Sequence, residues 1–411
     1  MIQTCDSPNS NGSPFISIKE AVAKMLAQIT QVKGKDNLAL SEGLGRVLAD
    51  DIISPIDVPP ADNSAMDGYA LDYQELSKQR SLKMVGTALA GQPYLQTLLP
   101  GQCVRIMTGA LIPKGANAVV MQENTLADGN NIEFKQLPSK GNSVRQAGED
   151  IQRSQIVVTK GTQLKAAHLA LIASVGVAQI RVTPKLKVGL IATGDELTPP
   201  GQKLVSGAIY ESNRVALNAL LADFPVDVVD LGIVKDDKPS LRDAFRQADK
   251  NCDLVISCGG VSVGEADYVK DILSELGTIN FWKVAIKPGK PFAFGKLSNA
   301  WFCGLPGNPV SSYVTFQQLV TPVLQKLSGQ TYLPAPHFVA KAACLIRKRP
   351  GRADYQRGIY YRDENAELWV KPNGKQGSGI MSSIANANCY MVLEQDAADV
   401  QEGESVNIQP F

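Results

Sequence analysis

The stretch that decides the fold starts at LKVGLIAT (186–193) and continues through NRVALNALLADF (213–224), VDVVDLGIV (226–234), SLRDAFRQADK (240–250), CDLVISCGG (252–260) and YVKDILSELG (268–277). Short continuous runs of Val, Ile and Leu alternate with segments whose apolar residues recur at helical spacing, as βαβ units around a parallel sheet require. WFCGL (301–305) and SSYVTFQQLVTPVLQKL (311–327) extend the series as one more strand and helix. A three-layer α/β/α domain is therefore expected over 185–330.

Upstream of it, ISIKEAVAKMLAQI (16–29) has helical periodicity, and LSEGLGRVLADDI (40–52) follows as a shorter amphipathic piece, predicting a helical opening. From Pro55 to Arg145 the texture changes to short segments rich in Gly, Pro, Val and Ile, the signature of a mostly β module. The stretch 148–182 returns to the first unit, since an insertion between two halves of a domain leaves its ends close together. This predicts a discontinuous unit over 15–54 and 146–184, interrupted by a β insertion over 55–145. Downstream, HFVAKAACLI (337–346), GIYY (358–361), ELWVK (367–371) and CYMVLE (389–394) lack helical period and predict a small β-barrel or sandwich over 331–411.

Composition narrows the function. The 411 residues suffice for several domains with a sizeable core. A net charge of +1 supplies no global field for nucleic acid or an anionic membrane, so any anion site must be local. Arg347, Lys348, Arg349, Arg352 and Arg357 form a basic cluster without interleaved stacking aromatics, which argues against a nucleic-acid interface. The uncharged part of 297–325 contains GLPGNP and Pro322, which favours a loop and a buried helix over a membrane span. Residues 1–15 have neither a basic nor an apolar signal-peptide region, and the seven cysteines are scattered without a CxxC pair; a reduced, cytoplasmic setting is expected. With His168 and His337 as the two histidines, zinc sites and Ser/His/Asp triads have little material.

In an open parallel sheet, ligands bind outside the carboxyl ends of the strands. The loops expected there are TGDEL (193–197), KDD (235–237), GGVSVGEADY (259–268), WKVAIKPGKP (282–291) and GLPGNP (304–309). They gather Asp195, Glu196, Asp236, Asp237, Glu265 and Asp267 beside Lys283, Lys287 and Lys290, a set of hard oxygen donors and cations suited to phosphate and Mg²⁺. GGVSVG brings backbone N–H groups to a helix start, where an anion is favoured. Taken singly, each feature has a plainer reading: Asp236 and Asp237 as helix-entrance charges, the lysines as surface residues, Ser262 as a cap, His168 as a partly buried helix residue, and Cys258 and Cys303 as small core hydrophobes. Their concentration at one edge argues for a site.

Together with NSAMDGYA (63–70), RIMTGALIPKGANAVV (105–120), GEDI (148–151) and GLPGNPVSS (304–312), these motifs closely resemble the bacterial molybdopterin molybdenumtransferases, the family that includes the E domain of gephyrin. The resemblance runs from about residue 15 to the C-terminus. It implies an elongated homodimer of four-domain subunits with a C-terminal β-barrel, and conversion of adenylylated molybdopterin and molybdate to molybdenum cofactor with release of AMP and use of Mg²⁺. It also implies contacts with a molybdopterin adenylyltransferase and downstream molybdoenzyme maturation factors.

Carried over by motif, it places functional groups at Asp67, Thr108, Asp150, Glu196, Asp236, Asp267, Lys283 and Lys287. Gly259, Gly260, Ser262, Lys290, Pro306, Pro309, Arg357 and Ser378 match the pterin, nucleotide and oxyanion loops. Glu196, Asp236 and Asp267 are the expected Mg²⁺ carboxylates, and Lys287, Lys290, Arg357 and Ser378 the oxyanion holders, with molybdate or an activated water as nucleophile. Two other readings are an adenylyltransferase, which the α/β unit alone resembles, and a non-catalytic scaffold of the same fold; the extra modules speak against the first and the retained carboxylates against the second.

Overall fold

The structure is a computed structural model that describes residues 15–260 and 268–411. At its centre is a six-stranded sheet in the order Val226–Val234, Leu186–Thr193, Leu254–Cys258, Trp301–Leu305, Pro291–Lys296, Thr278–Lys283. The first four strands run parallel, and the last two join by antiparallel pairing. Leu254–Cys258 is buried along its whole length, as expected for a strand covered on both faces. Alternating side chains divide between two cores. Val188 and Leu190 pack with the helical stretch after GLPGNP, and Ile191 and Val255 pack with Leu241 and Phe245 of helix Lys238–Asn251 and Ile272 of helix Tyr268–Leu276.

Helix Ile18–Gln28 forms as its periodicity predicts, capped by Ser17, whose hydroxyl accepts the Glu20 amide. Its buried face, Ala21, Val22 and Met25, belongs to the core beside Leu186 and Val188. The helical expectation for 40–52 fails. One 3₁₀ turn, Leu40–Glu42, is followed by extended residues that bridge to Gln163 and Val182, because Gly43 and Gly45 weaken the helix and sheet partners are available. The small unit is built from two distant stretches: Asp36–Ala39 pairs with Gln179–Val182, and Ile52–Ile53 with Ile156–Val158.

Between those stretches lies another six-stranded sheet, ordered Ala118–Met121, Gly68–Leu71, Gln102–Ile106, Ser81–Ala88, Asn131–Phe134, Thr125–Asp128. Gly68 is needed there, since a Cβ would lie 2.0 Å from the Val120 carbonyl oxygen across the pairing.

The C-terminal strands Phe338–Ala342, Ala353–Arg362, Leu368–Pro372, Cys389–Leu393 and Ser405–Pro410 close into a five-stranded barrel, because Ala353–Arg362 pairs with both Leu368–Pro372 and Cys389–Leu393. A short strand, Ile286–Lys287, leaves the central unit and pairs in parallel with Ala353–Asp354, fastening the barrel to the carboxyl edge of the central sheet. The helix expected over 311–327 is present in three consecutive parts, Pro309–Thr315, a π-helical Phe316–Val320 and Thr321–Leu327. The change of register precedes Pro322, which has no amide hydrogen to donate.

Candidate active site

From Leu186–Thr193 the chain passes to the strand on one side, Val226–Val234, and then to the strand on the other, Leu254–Cys258. The loops leaving Thr193 and Cys258 therefore part at a topological switch point and open a crevice. A cleft of about 1130 Å³ occupies that place, with the barrel loop 376–379 as its outer wall.

The floor is backbone. Gly259 and Gly260 have φ of 91° and 66°; a Cβ on the first would stand 2.6 Å from the Thr193 carbonyl oxygen and on the second 2.2 Å from Cγ2 of buried Val269. Larger residues cannot take these positions without displacing the loop. Pro306 and Pro309 line the same floor, held by Asn213, whose Nδ2 donates to the Gly307 carbonyl at 2.7 Å. Cys258 also lines the cleft, but its thiol meets the Ser312 hydroxyl at 3.2 Å and burial pushes its pKa up to about 12, so it is no nucleophile.

One wall is acidic. Glu196 and Asp236 line it, and Glu196 folds so close to Gly194 that a Cβ there would lie 2.6 Å from its Oε2. Partial burial, followed by the charges of Asp195, Glu196 and Asp237, raises the Asp236 pKa above the usual carboxylate value. Asp237 has a different duty: it caps helix Lys238–Asn251, accepting the Ser240 amide at 2.8 Å and hydroxyl at 3.0 Å, which holds its pKa low. Of the two adjacent aspartates, then, one faces the cleft and its neighbour builds the helix. Among the described residues no group of three His, Cys, Asp or Glu is placed to hold a metal. Two carboxylates without an ion-pair partner among the described residues suit Mg²⁺, which commonly takes one or two protein oxygens and completes its shell with phosphate and water.

Another part of the lining is basic. Lys287 and Lys290 line it together with Ser378 and Arg352. Lys287 Nζ lies 3.1 Å from Asp354 Oδ2, and Lys290 Nζ sits 5.4 Å from the Phe15 ring centroid, a cation–π distance. The Ser378 carbonyl accepts the Val310 amide at 3.0 Å, which ties the barrel loop to the first turn of the helix after GLPGNP.

Several expected residues are elsewhere. Arg357 does not line the cleft: it is 1% exposed and donates to Ser383 Oγ at 3.0 Å, the Tyr355 carbonyl at 3.2 Å and the Gly377 carbonyl at 3.4 Å. It therefore holds the outer loop from behind, while Arg352 reaches the cleft. Lys283 is half-buried at the end of its strand, where its carbonyl accepts the Ile16 amide, and it too is absent from the lining. Asp67 and Thr108 belong to the inserted module and bond each other; Asp150 is exposed, with its amide donating to the Val58 carbonyl at 3.1 Å, and none of the three lines the cleft. Ser262 and Asp267 lie outside the described residues. Sequence reading passed over IYESN (209–213), whose residues from Ile209 to Asn213 all line the cleft; its signal was a polar group between a short strand and helix Asn213–Leu221.

Three family models match the chain: the MoeA N-terminal region (domain I and II) over 16–176, a probable molybdopterin binding domain over 189–326, and the MoeA C-terminal region (domain IV) over 339–411. A molybdopterin molybdenumtransferase of Haemophilus influenzae is 47% identical, with 97% of this chain and 99% of that protein aligned. Gephyrin of Dictyostelium discoideum is 31% identical over 98% of this chain and 63% of its own length. Among solved structures, the molybdopterin biosynthesis moeA protein of Pyrococcus horikoshii OT3 superposes with a TM-score of 0.84 at 29% identity, covering 97% of this chain and 100% of that one. With every structural unit matched and near-complete coverage of a close relative, the chain belongs to the molybdopterin molybdenumtransferase (MoeA) family.

Proposed function

We propose that this protein is a transferase that inserts molybdate into adenylylated molybdopterin and releases AMP, the step that forms molybdenum cofactor. The supporting observation is a cleft at the switch point with a glycine floor, an acidic wall of Glu196 and Asp236, and a basic wall of Lys287 and Lys290. The glycine floor lets the phosphate groups of the substrate come close to the backbone, although the Gly259 amide is itself bonded to the Leu305 carbonyl at 3.2 Å, and Pro306 and Pro309 shape the surface beside it. Lys287, Lys290 and the Ser378 hydroxyl take the tetrahedral oxyanion, whose charge they offset as the phosphoanhydride opens. Glu196 and Asp236, with Asp267 as the third expected carboxylate, would hold Mg²⁺, which when bound would neutralise phosphoanhydride charge. Alignment and charge compensation are then the main demands of the reaction. Water, or molybdate followed by water, attacks a phosphorus of the anhydride as its bridging P–O bond breaks. AMP and the pterin phosphate separate with one water consumed, and the oxygens that molybdate gives up as the pterin sulfurs bind the metal leave as water.

In the same reading the working unit is a cytoplasmic homodimer whose inserted module, with Asp67 and Thr108, completes the site of the partner subunit, and Asp150, just past the end of that module, belongs to the same functional set. Lys283 backs the basic wall, Ser262 belongs to the glycine loop, and Arg357 acts through the loop that presents Ser378. Exchange with a molybdopterin adenylyltransferase and molybdoenzyme maturation factors follows from the chemistry of substrate and product. Among the described residues no helix is long and apolar enough to cross a membrane.

The experiment is to supply adenylylated molybdopterin, molybdate and Mg²⁺ and to measure AMP release together with activation of an apo-molybdoenzyme. Turnover that depends on molybdate is expected. In a parallel incubation with ATP and molybdopterin, adenylylation of the pterin, together with no molybdate-dependent AMP release in the first, would replace this reading with the adenylyltransferase.

A further inference from the structure

Asp354 stands where the barrel strand meets the cleft's basic wall, and the proposed reaction gives it no part. It is 2% exposed, and its Oδ2 accepts from Lys287 Nζ at 3.1 Å and Gln356 Nε2 at 3.1 Å. Lys287 is different in kind, with a side chain 43% exposed. Its ammonium has three donors, so it can bond the buried carboxylate and still face an anion in the cleft.

Two more buried cations are coupled to the same carboxylate. Lys348 is 5% exposed and donates to the carbonyls of Arg349 at 2.8 Å and Gln395 at 3.4 Å. Burial lowers its pKa, opposed first by Asp354. Arg357 donates to carbonyls and a hydroxyl, and Asp354 is the leading charge that favours its protonated form. Asp354 is thus the buried anion bonded by Lys287, and its charge also favours the protonated forms of Lys348 and Arg357.

We propose that Asp354 is a resident counter-anion that sets how tightly the cleft binds a tetrahedral oxyanion. It stabilises the basic wall when no oxyanion is present, and its charge opposes any dianion that approaches Lys287 from the open side. A wall without it binds dianions too tightly, at the expense of release. Asp354 is a positioning and specificity residue, since it touches the anion only through Lys287. The inference rests on the reading of Lys287 and Lys290 as an oxyanion subsite.

The test is calorimetric titration of the full-length protein with sodium molybdate. Asp354→Asn keeps the shape and an acceptor for Gln356 while removing the charge, and it is expected to bind molybdate about three- to tenfold more tightly at low salt. Added salt should narrow the gap, and Asp354→Glu should return affinity toward wild type. A residue with only a structural role would weaken binding or leave it unchanged when neutralised, so equal or weaker binding by folded Asp354→Asn overturns the proposal. Should Asp354→Asn not fold, Lys348→Met gives an independent reading: with less compensation of Asp354, molybdate binding is expected to weaken several-fold, and an unchanged affinity overturns the proposal. If wild-type protein binds no molybdate, the oxyanion subsite itself falls and this inference with it, whereas binding by wild type without tightening in Asp354→Asn removes the counter-anion role alone.

Discussion

The backbone amide and the hydroxyl of Thr108 donate to one and the same carboxylate oxygen of Asp67, at 2.7 and 2.8 Å. The amide bond, then the hydroxyl bond, holds the Asp67 pKa below the usual carboxylate value, so this exposed group stays ionised. Two motifs separated by some forty residues are thereby locked into one exposed anionic feature on a module that does not line the cleft of its own chain.

Together with the proposed homodimer, that arrangement predicts complementation between subunits. Asp67→Ala and Asp236→Ala homodimers should each be nearly inactive. Mixed under exchange conditions, each heterodimer should regain up to about half of wild-type activity, because two-fold symmetry puts both defects in one site and leaves the other intact. Inactive but verified heterodimers of folded subunits would show that Asp67 serves its own chain.

Asp236→Asn should lower turnover and raise stability at neutral pH. The folded-state pKa of Asp236 is raised by burial and by three carboxylate neighbours. Its favourable contribution to folding is therefore complete below its unfolded pKa and lost as pH rises through the folded value. In chelator, the variant's melting temperature should exceed that of wild type by about 1–2 °C at pH 7, a small gain because solvent screens the cluster, and the difference should vanish near pH 3. A variant less stable than wild type at pH 7 would contradict the like-charge account.

Gly260→Ala should destabilise the fold by about 1–3 kcal/mol, since the new methyl overlaps Cγ2 of Val269, a residue with no exposed surface. The double variant Gly260→Ala/Val269→Ala should be more stable than the sum of the two single changes, measured by urea unfolding. Strict additivity would mean that the clash is relieved by loop movement instead.

Arg357 and Lys290 should separate stability from binding. Arg357→Ala removes a buried cation with three acceptors and is expected to cost about 2–4 kcal/mol of stability. Lys290→Ala should stay within about 0.5 kcal/mol of wild type and yet raise the molybdate concentration for half-maximal AMP release by about tenfold or more, because a cation facing a dianion in a partly enclosed cleft is weakly screened. The reverse pattern would exchange their assigned places.

The central sheet was readable because its inner strands are buried on both faces and its helices on one, so LKVGLIAT and CDLVISCGG differ in period from SLRDAFRQADK. The carboxyl-edge loops followed from that order. The division of labour between Asp236 and Asp237 did not follow, because either aspartate can cap a helix and only the chain direction at Asp237, φ −124° and ψ 149°, selects the cap. Nor did the choice between Arg352 and Arg357. The first precedes the strand Ala353–Arg362 and the second lies within it, and barrel closure turns Arg357 inward.

What the sequence by itself determined is what repeats locally: the alternating units of the α/β domain, the β texture of the flanking modules, the glycine and carboxylate loops, and the motifs that carry the family. These depend on periodicity and on residue types within a few turns of one another. Only the tertiary structure decided which charges meet. The pairing of Ile286–Lys287 with Ala353–Asp354 brings a lysine of the central unit to a carboxylate of the barrel across 67 positions of chain. No local pattern encodes that contact, because its register is set by closure of the barrel and by packing against the sheet edge, and the energy of each charge depends on the burial that this packing creates.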